Sequence, residues 1–338
     1  MKKILSITIA LLMISPLALA EPNSTVTEKL SPDILPGNGI KQHDFVYAGE
    51  WDTRKPEKQS LFIVRNGKVD WSIHMPLKTP AGNIQEYDDA TLLPDGSVIY
   101  ARMSGAGKIA PDKTVLWDYP APENTEIHSI QSIGQDLVLI AQNGTPAQAI
   151  IINTKTREIL KRVLIPTQTS NSHGQMRHIR MTKNHTIIVP LLSEHRVIEL
   201  SLDGKEIWSV NAKKPWRAVR LRNGNTLISG DKLKYVREVN RHGKTVWEFT
   251  EADVPEYRLH STQAAYRLKN GNTIITNWVA GNKDYGTWPN TVQAIEVTRE
   301  KKVVWALRSW NGDEDLGPAT HIQLLDQEED VDAVHYLK

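Results

Sequence analysis

An all-β chain folded as a single β-propeller is what this sequence predicts, and three observations predict it. Short apolar strands separated by turns recur between residues 44 and 325, in units about 40 to 60 residues apart, the spacing of four-stranded blades. Most units set a Gly-containing turn after the opening strand and a Trp two or three residues past a later turn. No segment carries a helical apolar period.

The clearest copy is Trp216 to Phe249. Its first strand ends in Arg222-Asn223-Gly224-Asn225, a second runs Thr226 to Ser229, and a third enters Arg241-His242-Gly243-Lys244 before Thr245-Val246-Trp247. Asn-Gly and His-Gly supply the positive φ that two-residue hairpin turns require, and the Trp is expected to pack between neighbouring sheets. The same reasoning assigns Trp71, Trp117, Trp208 and Trp305 to the core.

Taken from the N-terminus, residues 1–20 read as a secretory signal. Lys2-Lys3 precede an apolar run Ile4 to Leu19, and Ala18-Leu19-Ala20 forms a small-residue cleavage site before Glu21-Pro22. The run of about 16 residues is short of the roughly 20 that span a bilayer. Cleavage after Ala20 and a periplasmic or secreted product, monomeric and without a membrane span, are expected. Residues 21–43, with three Pro and two Gly, read as an extended lead-in.

Five nearly complete units follow, opening at Asp88, His128, Arg177, Trp216 and His260. The N-terminal segment has strands Asp44 to Trp51 and Ser60 to Arg65, the turn Asn66-Gly67-Lys68 and Val69-Asp70-Trp71, but lacks an opening strand. Ala319 to Leu325 resembles an opening strand and has nothing after it. Pairing of these two pieces would close the ring from both termini and leave no open sheet edge, giving six blades with one shared. A seven-bladed ring, with residues 21–60 contributing more, is the alternative. Residues 326–338 read as an acidic, solvated tail.

With 338 residues, 40% apolar and 24% charged, the chain can bury a full core. The absence of Cys excludes disulfides, thiol catalysis and thiolate zinc sites. Removing Lys2 and Lys3 from 41 basic residues leaves 39, equal to the 39 acidic ones, so the mature chain lacks the basic field of a nucleic-acid binder.

The turns Asp203-Gly204-Lys205-Glu206-Ile207-Trp208, His242-Gly243-Lys244-Thr245-Val246-Trp247 and Asn66-Gly67-Lys68-Val69-Asp70-Trp71 resemble the blade signature of quinoprotein-like propellers with PQQ-like repeats. An opening His, the turn Leu268-Lys269-Asn270-Gly271-Asn272-Thr273-Ile274 and a later strand ending in Trp resemble bacterial arylsulfotransferase-type propellers more closely. The resemblance spans about residues 44 to 325 and implies a fold more than an activity. Quinone dehydrogenases of that group have more blades than this chain can form and often a vicinal Cys pair, so a quinone is not expected. Arylsulfotransferases imply a funnel His that carries the sulfuryl group with His and Arg around it, and no single His here aligns to that nucleophile.

In a propeller the residues just before each innermost strand converge on the channel. That slot holds Asp88 with Asp89, His128, Arg177 with His178, Trp216 with Arg217, His260 and His321, so four of the eleven His fall in it. His128, His178, His260 and His321 are the candidate catalytic groups, as acid, base or ligands of a divalent metal. Arg177, Arg180, Arg217 and Arg258 suit bidentate recognition of an anion, and Trp216, Trp278, Tyr285, Trp288 and Asp88 complete the expected binding set. The loop 279–290 is the longest insertion and is expected at a rim. His173 reads as a loop residue, and His43, His74, His185, His195, His242 and His335 as surface. These features suggest an anionic small molecule or oligosaccharide, such as a uronic-acid saccharide or an aryl sulfate, met by a lyase or a sulfuryl-transfer enzyme. A non-catalytic envelope scaffold is the rival.

Overall fold

The structure, a computed structural model, describes residues 31–55, 59–79 and 82–336. The expected signal segment lies outside the described residues. Six four-stranded antiparallel sheets form a ring, which decides for six blades over seven. Their innermost strands are Ala319–Leu324 (blade 1), Asp89–Leu92 (blade 2), Glu126–Gly134 (blade 3), Arg180–Met181 (blade 4), Pro215–Arg220 (blade 5) and Ala265–Arg267 (blade 6).

Blade 1 is the shared one. Ala319–Leu324 pairs with Phe45–Gly49, placing His321 opposite Ala48 and Ile322 opposite Tyr47, and Gln59–Arg65 and Lys68–Met75 follow outward. Both partners of the closing pair are buried along most of their length, so closure is made with core side chains as well as backbone bonds. Apolar clusters lie between successive sheets; one joins Val46 and Leu61 of blade 1 to Ala90 and Val98 of blade 2, another Ile133 and Leu139 of blade 3 to Ile187 and Val189 of blade 4.

The turns divide into two kinds. At Asn66-Gly67 both residues have positive φ, 50° and 74°, the two-residue turn the sequence suggests. At Asn223-Gly224 only Gly224 does (85°): Leu221 N donates to Asn225 O and Gly224 N to Leu221 O, a three-residue loop with Gly at its left-handed end.

Four of the repeated Trp residues tie their blades to the next unit. Trp71 Nε1 donates to Pro111 O, Trp208 to Arg241 O, Trp247 to Arg299 O and Trp305 to Gly39 O, each carbonyl lying beyond the blade that carries the Trp. The last bond uses the lead-in, which also offers Pro36 O to Ala306 N, so residues 36–39 cover the outer edge of blade 6. A matching polar layer runs beneath. Glu199, Glu238 and Glu296, all buried, accept from the turn of their own blade and from the next unit, through Arg220, Arg267 and His43 respectively. His43 is therefore buried between Glu296 and Asp326, contrary to its expected surface position, because the lead-in that carries it is folded against the ring.

The C-terminal segment is bound to the ring instead of solvated. Glu328 O and Val331 O accept from Lys269 and Arg222, Asp330 N donates to Arg267 O, Lys183 pairs with Asp332 at 2.9 Å, and Tyr336 N donates to Ile133 O. It crosses the basal face, where the innermost strands end, from blade 6 towards blade 3.

Replacing Trp305, which is fully buried, by Ala should cost about 3–5 kcal/mol and lower the urea midpoint sharply. Trp71→Ala, at a partly exposed position, should cost clearly less. Equal losses would contradict the interblade role assigned to Trp305.

Candidate functional site

The channel axis carries two polar levels, and Asp88 and Asp89, adjacent on the chain, each anchor one. Three innermost strands are bulged at their entry ends, at His128, Trp216 and Thr320, where pairing skips a residue. A bulge re-aims the side chain it carries.

At the entry level a hydrogen-bonded chain leads from the interior to solvent. Asp88, fully buried, binds His128 Nδ1; His128 Nε2 lies 2.7 Å from Glu126, and Glu126 lies 3.1 Å from His173 Nδ1. His173 Nε2 is 3.2 Å from the Arg177 guanidinium and 3.5 Å from Glu86. With Arg177 donating there, Nδ1 of His173 carries the proton given to Glu126 and Nε2 keeps its lone pair. Arg177 also donates to His173 O and lies over the Trp216 ring at 4.7 Å. His173 is 46% exposed while Glu86 and His128 are buried, so this imidazole is the group the site shows to a ligand.

The carboxyls of this level are driven apart. Burial, with Asp88 beside it, raises Glu86, and burial with Asp88 and Glu86 raises Glu50 well above the carboxylate range. Burial also opposes ionisation of Asp88 and Glu126, but His128 outweighs it in both, holding Asp88 at about 2 and Glu126 well below its ordinary value. His128 is pulled down by burial and Arg177, and Asp88 and Glu126 more than reverse this, so it binds its proton more tightly than free His. One mouth thus presents carboxyls pushed in opposite directions, Glu86 and Glu50 up and Asp88 and Glu126 down, beside a half-exposed imidazole, the divergence that marks acid and base roles.

One level deeper, Asp89 accepts both terminal nitrogens of Arg180, at 2.9 and 3.0 Å, and the backbone N–H of Ile130. His321 Nδ1 lies 3.3 Å from Asp89 and 2.8 Å from the Tyr266 hydroxyl, and the rings of His178 and His321 meet edge-on at 6.3 Å. Arg217 lies over Tyr266 at 4.3 Å and is held from the basal side by both oxygens of Glu329. A cavity of about 700 Å³ opens from here to the basal face, lined by Arg180, Arg217, Tyr266 and His321 and partly roofed by the C-terminal segment.

The slot reading therefore brings Asp88, His128, Arg177 and Trp216 together at one level and His178, Arg180, Arg217 and His321 at the next. His260 falls outside both. It lines a shallower recess with Lys232, Arg258 and Trp278, because the innermost strand of blade 6 starts only at Ala265. Trp288 does not face a ligand: it is fully buried against Trp310 and Tyr285, and Arg54 covers it at 5.2 Å. Tyr285 is exposed at that rim and receives a bond from Thr53. Glu50, Glu86, Glu126, His173 and Tyr266 were not singled out by sequence. The signal that could have found two of them is the shared spacing Glu86-x-Asp88 and Glu126-x-His128, which sets each Glu one strand period before an axial residue.

No protein-family profile and no curated protein matches the sequence. Among solved structures, a protein of unknown function from Bacteroides caccae is 23% identical, with a TM-score of 0.72 over 84% of this chain and 99% of that one. A streptogramin B lyase is 14% identical, with a TM-score of 0.53 over 85% and 88%. A catalytically inactive His-to-Ala variant of virginiamycin B lyase from Staphylococcus aureus, solved with quinupristin, is 13% identical, with a TM-score of 0.52 over 81% and 88%. At these identities the likeness is one of fold, and the fold is a β-propeller.

The raised pKa of His128 sets a pH dependence. A group that binds its proton more tightly when folded adds stability that is fully present below its unfolded pKa near 6.5 and is lost as pH rises through the folded value. His128→Gln, which leaves Asp88 and Glu126 facing no cation on that ring, should cost about 3–5 kcal/mol at pH 6. The gap to wild type should narrow as urea titrations move to alkaline pH, and a gap that widens would refute the assignment.

Proposed function

We propose that this protein is an exported acid–base enzyme of the lyase type, working at the entry mouth of the channel. The observation that carries the reading is the chain Asp88, His128, Glu126, His173, which runs from a fully buried carboxylate to a half-exposed imidazole whose Nε2 accepts from Arg177. In the proposed elimination the substrate oxygen takes over that Arg177 hydrogen bond, and the lone pair so freed on His173 Nε2 takes the proton next to a carbonyl or carboxylate of the substrate. The released electron pair forms the new double bond, and the leaving group departs with the proton of Glu86. Arg177 lies beside both groups, where charge builds on the substrate oxygen. His128, hydrogen-bonded between Asp88 and Glu126, fixes Glu126, and Glu126 fixes the tautomer of His173.

Export rests on the N-terminal pattern of charge, apolar run and Ala18-Leu19-Ala20. The lyase assignment also draws on the shared fold of the streptogramin B and virginiamycin B lyases, the latter disabled by loss of one His. Sulfuryl transfer is less well supported, since Arg180 and Arg217, the groups that would hold the sulfuryl oxygens, already have their forks on Asp89 and Glu329.

His173→Ala and Glu86→Gln should each lower turnover about 10²- to 10⁴-fold with little change in melting temperature. The assay is a substrate panel of uronate oligosaccharides, quinupristin and aryl sulfates, with the appearance of an unsaturated product as the lyase readout. Turnover by wild type that survives both substitutions would sink the assignment, and binding without turnover across the panel would favour a scaffold.

A further inference from the structure

The deeper level holds a feature that the proposed reaction does not use. Asp89, His178 and His321 come from blades 2, 4 and 1, and each presents one ligand atom within 4.8 Å of the others. All three are buried, at 0%, 0% and 3% exposure. Neither ring nitrogen of His178 has a hydrogen-bond partner among the described residues, and neither has Nε2 of His321. A buried imidazole without partners loses its hydration with no return, and that cost is avoided when the lone pair is given to an ion.

We infer that these three residues form a binding site for a divalent transition metal at the centre of the propeller. Two imidazoles and one carboxylate suit Zn²⁺, Mn²⁺, Fe²⁺ or Co²⁺ over the oxygen-seeking Ca²⁺ and Mg²⁺.

The surrounding contacts are those that orient metal ligands. The Tyr266 hydroxyl engages His321 Nδ1 at 2.8 Å and so orients that ring beside Asp89. Arg180, Ser129 and the backbone N–H of Ile130 fix the carboxylate of Asp89. Three protein ligands leave a position open. Of the three ligands His321 lines the basal cavity, beside Arg180 and Arg217, which gives an ion a route in and an anionic fourth ligand positive charge nearby. The site is separate from Glu86, His128 and His173, which also lie within 4.8 Å of one another, and it stands whether or not the mouth catalyses an elimination.

The test is uptake of Zn²⁺ and Co²⁺ by the mature protein after chelator treatment, read as metal per chain by mass spectrometry and as the visible bands of bound Co²⁺. One ion per chain is expected in wild type and in His173→Ala. His178→Gln and His321→Gln should lose it, with circular dichroism reporting their folding. The anomalous difference map of wild-type crystals grown with Zn²⁺ gives an answer that does not depend on the folding of those buried variants. A peak between His178, His321 and Asp89 is expected. No bound ion, or a peak at Glu86 and His173 with binding lost in His173→Ala, would overturn the inference.

Discussion

Six innermost strands can meet around one axis only if the polar groups they bring there neutralise one another. Asp88, Asp89, His128, His178, Arg180 and His321 are all buried there, and an isolated buried charge is among the costliest features a fold can carry. The sequence meets this constraint with two consecutive carboxylates. Asp88 pairs upward with His128, and Asp89 pairs inward with Arg180, so blade 2 supplies the counter-charge for blades 3 and 4. Each pair joins different sheets, so neither exists until its blades are packed together. His321, carried on the closing strand Ala319–Leu324, reaches Asp89 only when that strand docks, which ties ring closure to the electrostatics of the axis.

The fold was legible because its signals are local and repeated. A Gly placed for left-handed backbone and a Trp placed for the next blade recur within each unit, and neither depends on knowing where the other units lie. The missing first strand and the orphan strand at residues 319–325 were equally visible, since one exposed edge at each end of a chain asks for a partner. Turn type was less legible: Asn66-Gly67 and Asn223-Gly224 share a dipeptide and differ in conformation, because the strands they join differ in register.

The axial residues were legible where strand starts align and illegible elsewhere. His128, His178 and His321 occupy comparable positions on their strands, so counting from the turns finds them. Counting fails for His260, four irregular residues short of its strand, and for Trp288, whose Gly-rich loop folds inward on Trp310. It also fails for Glu86, which lies before its strand begins at Asp89, for Glu126, at a strand end ahead of the bulge at His128, and for His173, on a short 3-10 turn, Ser172–Gly174. His173 reads as an ordinary loop residue because nothing within its own unit shows that Glu126 of the preceding blade will hold it.

The two ends of the channel differ in kind, and the difference follows from the segment that leaves the closing strand. A closing strand at the innermost position must send the remaining residues out at the basal face, within reach of whatever lines the channel there. Those residues are acidic, and the basal wall offers Arg217, Arg222, Lys269 and Lys183, each of which takes a partner from the segment. Glu329 goes furthest in, filling the Arg217 fork that would otherwise face the cavity. The entry face has no such covering segment among the described residues, and there His173 and Glu126 keep some of their surface. The same topology that closes the ring thus roofs one end of the polar axis with the protein's own carboxylates and leaves the other end, among the described residues, uncovered.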